Sequence, residues 1–379
     1  MTTANFLRVV RLTPVGRGAV ASLALHGTGP DVDRTLWGLF QAANGRAISA
    51  QPIRHIVFGH WGRTSTEEVV VTRQSETTVE IHCHGGEAAV RRILSDLQQQ
   101  GVELCSAWQF GEETRGRFAT ECDRSLSLAP TLRTASLLLA QADAWPAAVR
   151  RWSEISWTSV GRAQLQQELE QVLAWGPFAL HLTSPWNIVL AGRPNVGKSS
   201  LINALVGYTR SIVYDRPGTT RDVVTANTAL DGWPVRLADT AGLRAAEENL
   251  EAAGIERAQV VLAAADCQVL LFDGSQPLTE SDVALCEQWP AAIFVAHKSD
   301  LPGEWLQPLP GAWPVSSLTG SGLEELIATV VQRLVPQVPE PGTPLPFTPR
   351  LVDEISRALA AVAEGDRPAF TDSLAAICR

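Results

Sequence analysis

The string Gly192-Arg193-Pro194-Asn195-Val196-Gly197-Lys198-Ser199 constrains this 379-residue chain more than any other feature. It has the form GxxxxGK[ST], follows an apolar strand-like run at 187–191 and precedes a helix-like run at 199–205, which is the setting a phosphate cradle needs. Two glycines let successive backbone N–H groups close around a β-phosphate, and the helix N-terminus adds its positive end. In such a cradle Lys198 bridges the β- and γ-phosphates, the Ser199 hydroxyl can ligate Mg²⁺, and Asn195, Val196, Gly197 and Ser200 line the phosphates. The chain is therefore expected to bind a nucleotide.

Composition sharpens this expectation. Of 31 basic residues only Lys198 and Lys298 are lysine, so these two positions are where a compact point charge has been kept. A net charge of −9 argues against gripping nucleic acid by bulk charge. A 45% hydrophobic content with 12 Trp and 10 Phe excludes whole-chain disorder. No apolar run approaches the ~20 residues needed to span a bilayer, and no basic-then-apolar leader opens the sequence. A cytoplasmic protein without a membrane segment is expected. Six scattered cysteines without CxxC spacing read as reduced thiols. His82-Cys83-His84 follows a β-like run, where neighbours point to opposite faces, and no further ligand cluster accompanies it.

At roughly 150 residues per domain, the length suggests two or three domains. Residues 1–118 combine short β-like segments (8–12, 19–25, 53–59, 68–72, 78–82) with a helix at 87–99, giving a small α+β domain. Residues 119–183 read as helical, with Leu165, Leu169, Val172 and Leu173 forming a core-facing stripe. From 184 to 335, strand-like runs at 187–191, 235–238, 268–273, 292–296 and 313–316 alternate with helical ones, which predicts a mostly parallel sheet flanked by helices. Six prolines in 336–350 read as an extended linker before a terminal helical segment, 351–379.

Further elements follow the cradle in order. Asp239-Thr240-Ala241-Gly242 ends a strand: the acid can hold the Mg²⁺ shell, and the glycine can offer its N–H to a γ-phosphate. Between the two lies Asp215-Arg216-Pro217-Gly218-Thr219-Thr220-Arg221-Asp222, able to supply the Thr220 hydroxyl to Mg²⁺. The second lysine falls in His297-Lys298-Ser299-Asp300. This resembles the NKxD base-recognition element of G proteins, in which the acid accepts two hydrogens from guanine and the lysine stem lies along the ring. Here His297 replaces the Asn, and neutral His offers one donor and one acceptor in a different geometry, which suggests weaker guanine affinity. Ser316-Ser317-Leu318 stands where such proteins place a loop whose backbone N–H also meets the base.

The order of these motifs, with Asn195 in the cradle, the DRPGTTRD loop, and DTAGLR followed by Gly254-Ile255-Glu256-Arg257-Ala258, resembles the MnmE/TrmE family of tRNA-modification GTPases. Thr13-Pro14-Val15-Gly16-Arg17-Gly18 and the segment Val79 to Gly86 resemble its N-terminal domain. The resemblance implies a P-loop GTPase domain inserted in a helical domain and preceded by a folate-binding α+β domain. It implies GTP, Mg²⁺ on Ser199 and Thr220, and K⁺ in place of an arginine finger, held by Asn195, Tyr214, Arg216 and Thr219. It places the catalytic glutamate, which orients the attacking water, at Glu251. It further implies a homodimer through the N-terminal and G domains, a flavoprotein partner of the MnmG type, and work on the tRNA wobble uridine, with tRNA contact left to a local patch or a partner.

There are departures. Ala24 stands where the family has a folate-pocket Arg, the loop before the HGG segment is shortened to Ser75-Glu76-Thr77-Thr78, and residues after Phe110 match poorly; these weaken the expectation of a bound reduced folate. The family ends in Cys-Ile-Gly-Lys, whereas this sequence ends Ile377-Cys378-Arg379. It reads as C-terminally shortened, with Cys378 a coincidental terminal cysteine. A second function class therefore stays open, a GTPase switch acting in ribosome or complex assembly without the modification chemistry. A catalytically dead scaffold is disfavoured by Asn195, Thr220 and Glu251.

Overall fold

A computed structural model describes residues 7–62, 66–208, 225–239, 259–302 and 309–379. The chain divides into two compact units, 1–120 and 121–379.

The first unit holds β1 (Arg8–Arg11), β2 (Val20–His26), α1 (Gly29–Leu36), β3 (Phe40–Ala42), β4 (Ile56–Trp61), β5 (Glu67–Arg73), β6 (Thr78–His84), α2 (Glu87–Gln99), β7 (Glu103–Leu104) and α3 (Ala107–Arg115). Its sheet runs β3-β4-β5-β6-β2-β1-β7, antiparallel except where β7 pairs with β1. Period-2 alternation dictates the faces. In β6, Val79, Ile81 and Cys83 enter the core with Val90, Ile93 and Leu97 of α2, while Glu80, His82 and His84 take the opposite side. The two histidines thus share a face, and among the described residues no cluster of metal-ligating side chains forms.

Helix α4 (Arg117–Leu128) runs across the division at residue 120, and α5 (Leu132–Leu139), α6 (Gln141–Glu154), α7 (Ser159–Ala174) and α8 (Gly176–Leu180) follow. Leu165, Leu169 and Val172 are buried, as their stripe requires, and Leu173 is half-buried.

The nucleotide-type fold comprises β8 (Trp186–Ala191), α9 (Lys198–Tyr208), β9 (Thr225–Leu230), β10 (Trp233–Asp239), β11 (Cys267–Asp273), α10 (Glu280–Gln288), β12 (Ile293–His297), β13 (Trp313–Val315) and α11 (Leu323–Leu334). The sheet order is β13-β12-β11-β8-β10-β9. All pairings are parallel except that of β9, an edge strand antiparallel to β10. Central strands covered on both faces read as unbroken apolar runs, and β8 and β11 are buried nearly throughout. Strand β9, Thr-Ala-Asn-Thr-Ala-Leu, is half-exposed and carries no such run, so sequence pattern alone passed over it.

The C-terminal end is helical, as its pattern suggests, and carries two further details. The terminal helical segment is two helices, α12 (Pro349–Glu364) and α13 (Arg367–Ile377). The break is chemically marked: Gly365 takes the left-handed conformation at φ 76°, and the Asp366 side chain accepts from Ala369 N to cap α13. Residues 336–348 carry no helix or strand, and within them Pro344 to Phe347 are buried. Trp145 Nε1 donates to Leu345 O at 3.0 Å, and Leu345 N donates to Gln141 Oε1 at 2.7 Å, strapping the stretch onto α6. Beyond the strap, α12 packs on α7 and α13, and α13 on α6. Helices from before and after the sheet thus form one layer, with the α/β domain inserted between them in sequence.

Candidate functional site: the nucleotide pocket

Strand β8 lies between β10 and β11, with Asp239 paired to Leu190 in register and Asp273 to His297 across β11 and β12. The P-loop therefore leaves the middle of the sheet beside Asp239, Asp273 and His297. Crevices at the carboxyl ends of parallel strands are where open α/β sheets bind ligands.

Both P-loop glycines are required by their surroundings. A Cβ on Gly192, at φ 147°, would lie 2.3 Å from Leu271 O; one on Gly197, at φ 100°, would lie 2.3 Å from the His297 ring. Between them Asn195 sits in the left-handed region at φ 64°, which Asn tolerates better than most residues. Lys198 is buried, and its Nζ donates to Gly192 O at 3.1 Å and Arg193 O at 2.9 Å. Ser199 Oγ donates to Asp239 Oδ2 at 2.9 Å, joining the P-loop to the end of β10. Val196 anchors the loop in the core, and Ser200 is exposed in the first turn of α9. Arg193 reaches sideways to the buried Asp282 at 3.1 Å, and Asp282 also receives Thr279 N and Oγ1 at the start of α10.

At the other end, His297 is buried between the P-loop and the loop after β13: Nδ1 lies 2.8 Å from Val196 O and Nε2 2.7 Å from Ser317 Oγ. Burial, reinforced by the Lys298 charge, holds this imidazole below its ordinary pKa, against the opposing effect of the bond to Val196. Lys298, at φ 63°, donates to Asp273 Oδ2 at 2.6 Å. Burial pushes the Asp273 carboxyl up, yet hydrogen bonds from Lys298 and Ser275 bring it below the usual range. Ser316 Oγ donates to Asp300 Oδ1 at 2.5 Å and accepts from Leu318 N at 3.2 Å.

The structure thus brings Lys198, Ser199 and Asp239 together at one end, and His297, Asp300, Ser316 and Ser317 at the other. Tyr214, Arg216, Thr219, Thr220, Thr240, Ala241, Gly242 and Glu251 lie outside the described residues. Asp273 had escaped the sequence reading. The available signal is an acid ending a largely apolar strand, the same signal that marks Asp239. The Ser199 hydroxyl and Asp239 carboxylate form an all-oxygen donor set of the kind Mg²⁺ takes. Ala24 is buried in β2 and carries no charge there.

Residues 187–298 match the family model described as 50S ribosome-binding GTPase. Among solved structures, the G domain of the T. maritima FeoB iron transporter is 28% identical, covering 40% of this chain and 99% of its own, at a TM-score of 0.30. The P-loop, the acid that ends β10 and the Lys298–Asp300 element on a parallel-rich sheet define a P-loop GTPase, an enzyme that hydrolyses GTP. Proteins named tRNA modification GTPase MnmE from Synechococcus sp. (strain CC9605) and Bacillus subtilis (strain 168) are 34% and 33% identical, covering 83% and 76% of this chain and 81% and 72% of their own lengths. The chain belongs to the MnmE family of tRNA modification GTPases.

Proposed function

We propose that this GTPase acts in modification of the tRNA wobble uridine and that K⁺ stimulates its turnover. The observation that carries the catalytic half is the Ser199 Oγ–Asp239 Oδ2 contact, which sets two Mg²⁺-type oxygens at the first turn of the helix that begins with Lys198. The metal would supply charge neutralisation at the phosphate oxygens, held by Ser199 with Thr220 and supported by Asp239. Lys198 now donates to two P-loop carbonyls and would exchange them for β- and γ-phosphate oxygens. The backbone N–H groups of 195–200 orient the phosphates. Asn195, on the exposed rim of the loop, would offer a side-chain oxygen to K⁺, with Tyr214, Arg216 and Thr219 as its further ligands in this reading. Glu251 would orient the attacking water.

The tRNA half rests on family membership, as do a homodimer through the N-terminal and G domains and a flavoprotein partner of the MnmG type. GTP turnover in KCl should exceed that in NaCl at equal ionic strength, and equal rates would remove the K⁺ assignment. Glu251→Ala should slow hydrolysis with GTP affinity nearly unchanged. Cells lacking the gene should lose the modified wobble uridine; full retention would favour the assembly-switch reading instead.

A further inference from the structure

The imidazole of His297 has no nitrogen left for a base. Val196 O can only accept, so Nδ1, 2.8 Å away, carries the proton of the neutral ring. Nε2 is then an acceptor, and the Ser317 hydroxyl donates to it at 2.7 Å. Protonating the ring would change nothing here, since the new Nε2–H points at the same hydroxyl. The ring is 3% exposed and fills the space beside Gly197 that a Cβ would need. A guanine presents N7 and O6 as acceptors on the edge that does not pair with an acid. Reading N7 from position 297 takes a second N–H, which an amide has and this imidazole lacks.

We propose that His297 is a positioning residue that latches the P-loop to the loop after β13 and leaves guanine N7 unread, so that base selection falls on Asp300 and the 316–318 loop. Three segments distant in sequence meet at this one ring: Val196 and Gly197 of the P-loop, the end of β12, and Ser317. Asp300 is held separately by Ser316 Oγ, so the acid keeps its place whatever the ring does. Phosphate and base ends of the pocket are thereby fixed relative to each other before nucleotide arrives, which is preorganisation of the kind that raises affinity without a direct contact.

The test is competition of GDP and 7-deaza-GDP against a fluorescent GDP analogue on the full chain with Mg²⁺. Wild-type protein should bind the two within about twofold of each other, because the ring makes no N7 bond. Tenfold weaker binding of 7-deaza-GDP to the wild type would overturn the proposal. His297→Asn keeps one amide hydrogen for Val196 O and frees another; it should bind GDP at least as well as wild type and 7-deaza-GDP about fivefold or more weakly. Equal binding of both analogues by that variant would count against the imidazole as the cause. Ser317→Ala, which removes only the half-buried hydroxyl from the latch, should weaken both analogues alike by a few-fold; unchanged affinity would show that the latch does not position the loop.

Discussion

Arg350 at the start of α12 offers the sharpest energetic prediction. Its guanidinium makes a two-point ion pair with Glu121 of α4, Nε to Oε1 at 2.6 Å and Nη2 to Oε2, and the two side chains are 11% and 7% exposed. The same group donates to Ala376 O at 2.8 Å and Ile377 O at 3.2 Å, satisfying carbonyls that end α13. Arg350→Met takes a two-point guanidinium partner from the buried Glu121 carboxylate and a donor from each of two helix-end carbonyls. Removing one partner of a buried ion pair costs about 3–5 kcal/mol, a large part of the roughly 5–15 kcal/mol that holds a folded domain together. The double variant Arg350→Met/Glu121→Leu removes the buried carboxylate as well and should recover most of the loss, returning to within about 2 kcal/mol of wild type. Urea denaturation followed by fluorescence of the buried Trp145 and Trp152, which sit in the same helical layer, measures each step. A loss below about 1 kcal/mol in the single variant, or a double variant as unstable as the single, would refute the reasoning.

Other expectations test the pocket and the core. Gly197→Ala combines a positive φ with a clash against the His297 ring, and should lower the melting temperature without nucleotide by several degrees; no shift would mean the ring moves aside freely. His297 has its pKa lowered by burial, so the unfolded chain takes up the proton first. Stability should be full above about pH 6.5, the ordinary value, and fall as pH drops below it. A scan of melting temperature against pH should lose that slope in His297→Asn. For Asp273, whose folded value is depressed, stability is full above the unfolded value near pH 3.9 and is lost as pH falls through the folded one. Burial pushes the Cys122 thiol up to about 12 and Cys267 up to about 11. Native protein at pH 8 should leave both unalkylated by iodoacetamide in mass spectrometry, whereas unfolded protein should label all six free thiols.

Much of the nucleotide pocket was legible because its chemistry is local. Gly192 to Ser199 are contiguous, and the apolar runs on either side announce the strand and helix that aim them. Helix ends at Gly365 and Asp366 are marked in the same local way, by a left-handed glycine and an N-capping acid within the terminal helical segment. Strand β9 was missed because an edge strand needs only half a face of apolar residues. For the proline-rich stretch, composition reports the stiffness of a segment but not what it lies against, and Leu345 and Phe347 are buried, with Leu345 O held by Trp145 of α6.

The sequence by itself determined that a phosphate cradle stands on a parallel-rich sheet, with lysines for its two ends, since glycine conformations, helix dipoles and hydrophobic periodicity act within a few residues. Only the tertiary structure decided which groups those ends meet. Lys298 meets Asp273, Ser199 meets Asp239, and His297 is held between Val196 and Ser317. Sequence separations of 101, 40, 25 and 20 residues lie between these partners, so no local pattern could encode them. A single histidine looked like a defect in a base-recognition string. In the fold, both its nitrogens are spent on neighbours that strand order and register alone bring within reach.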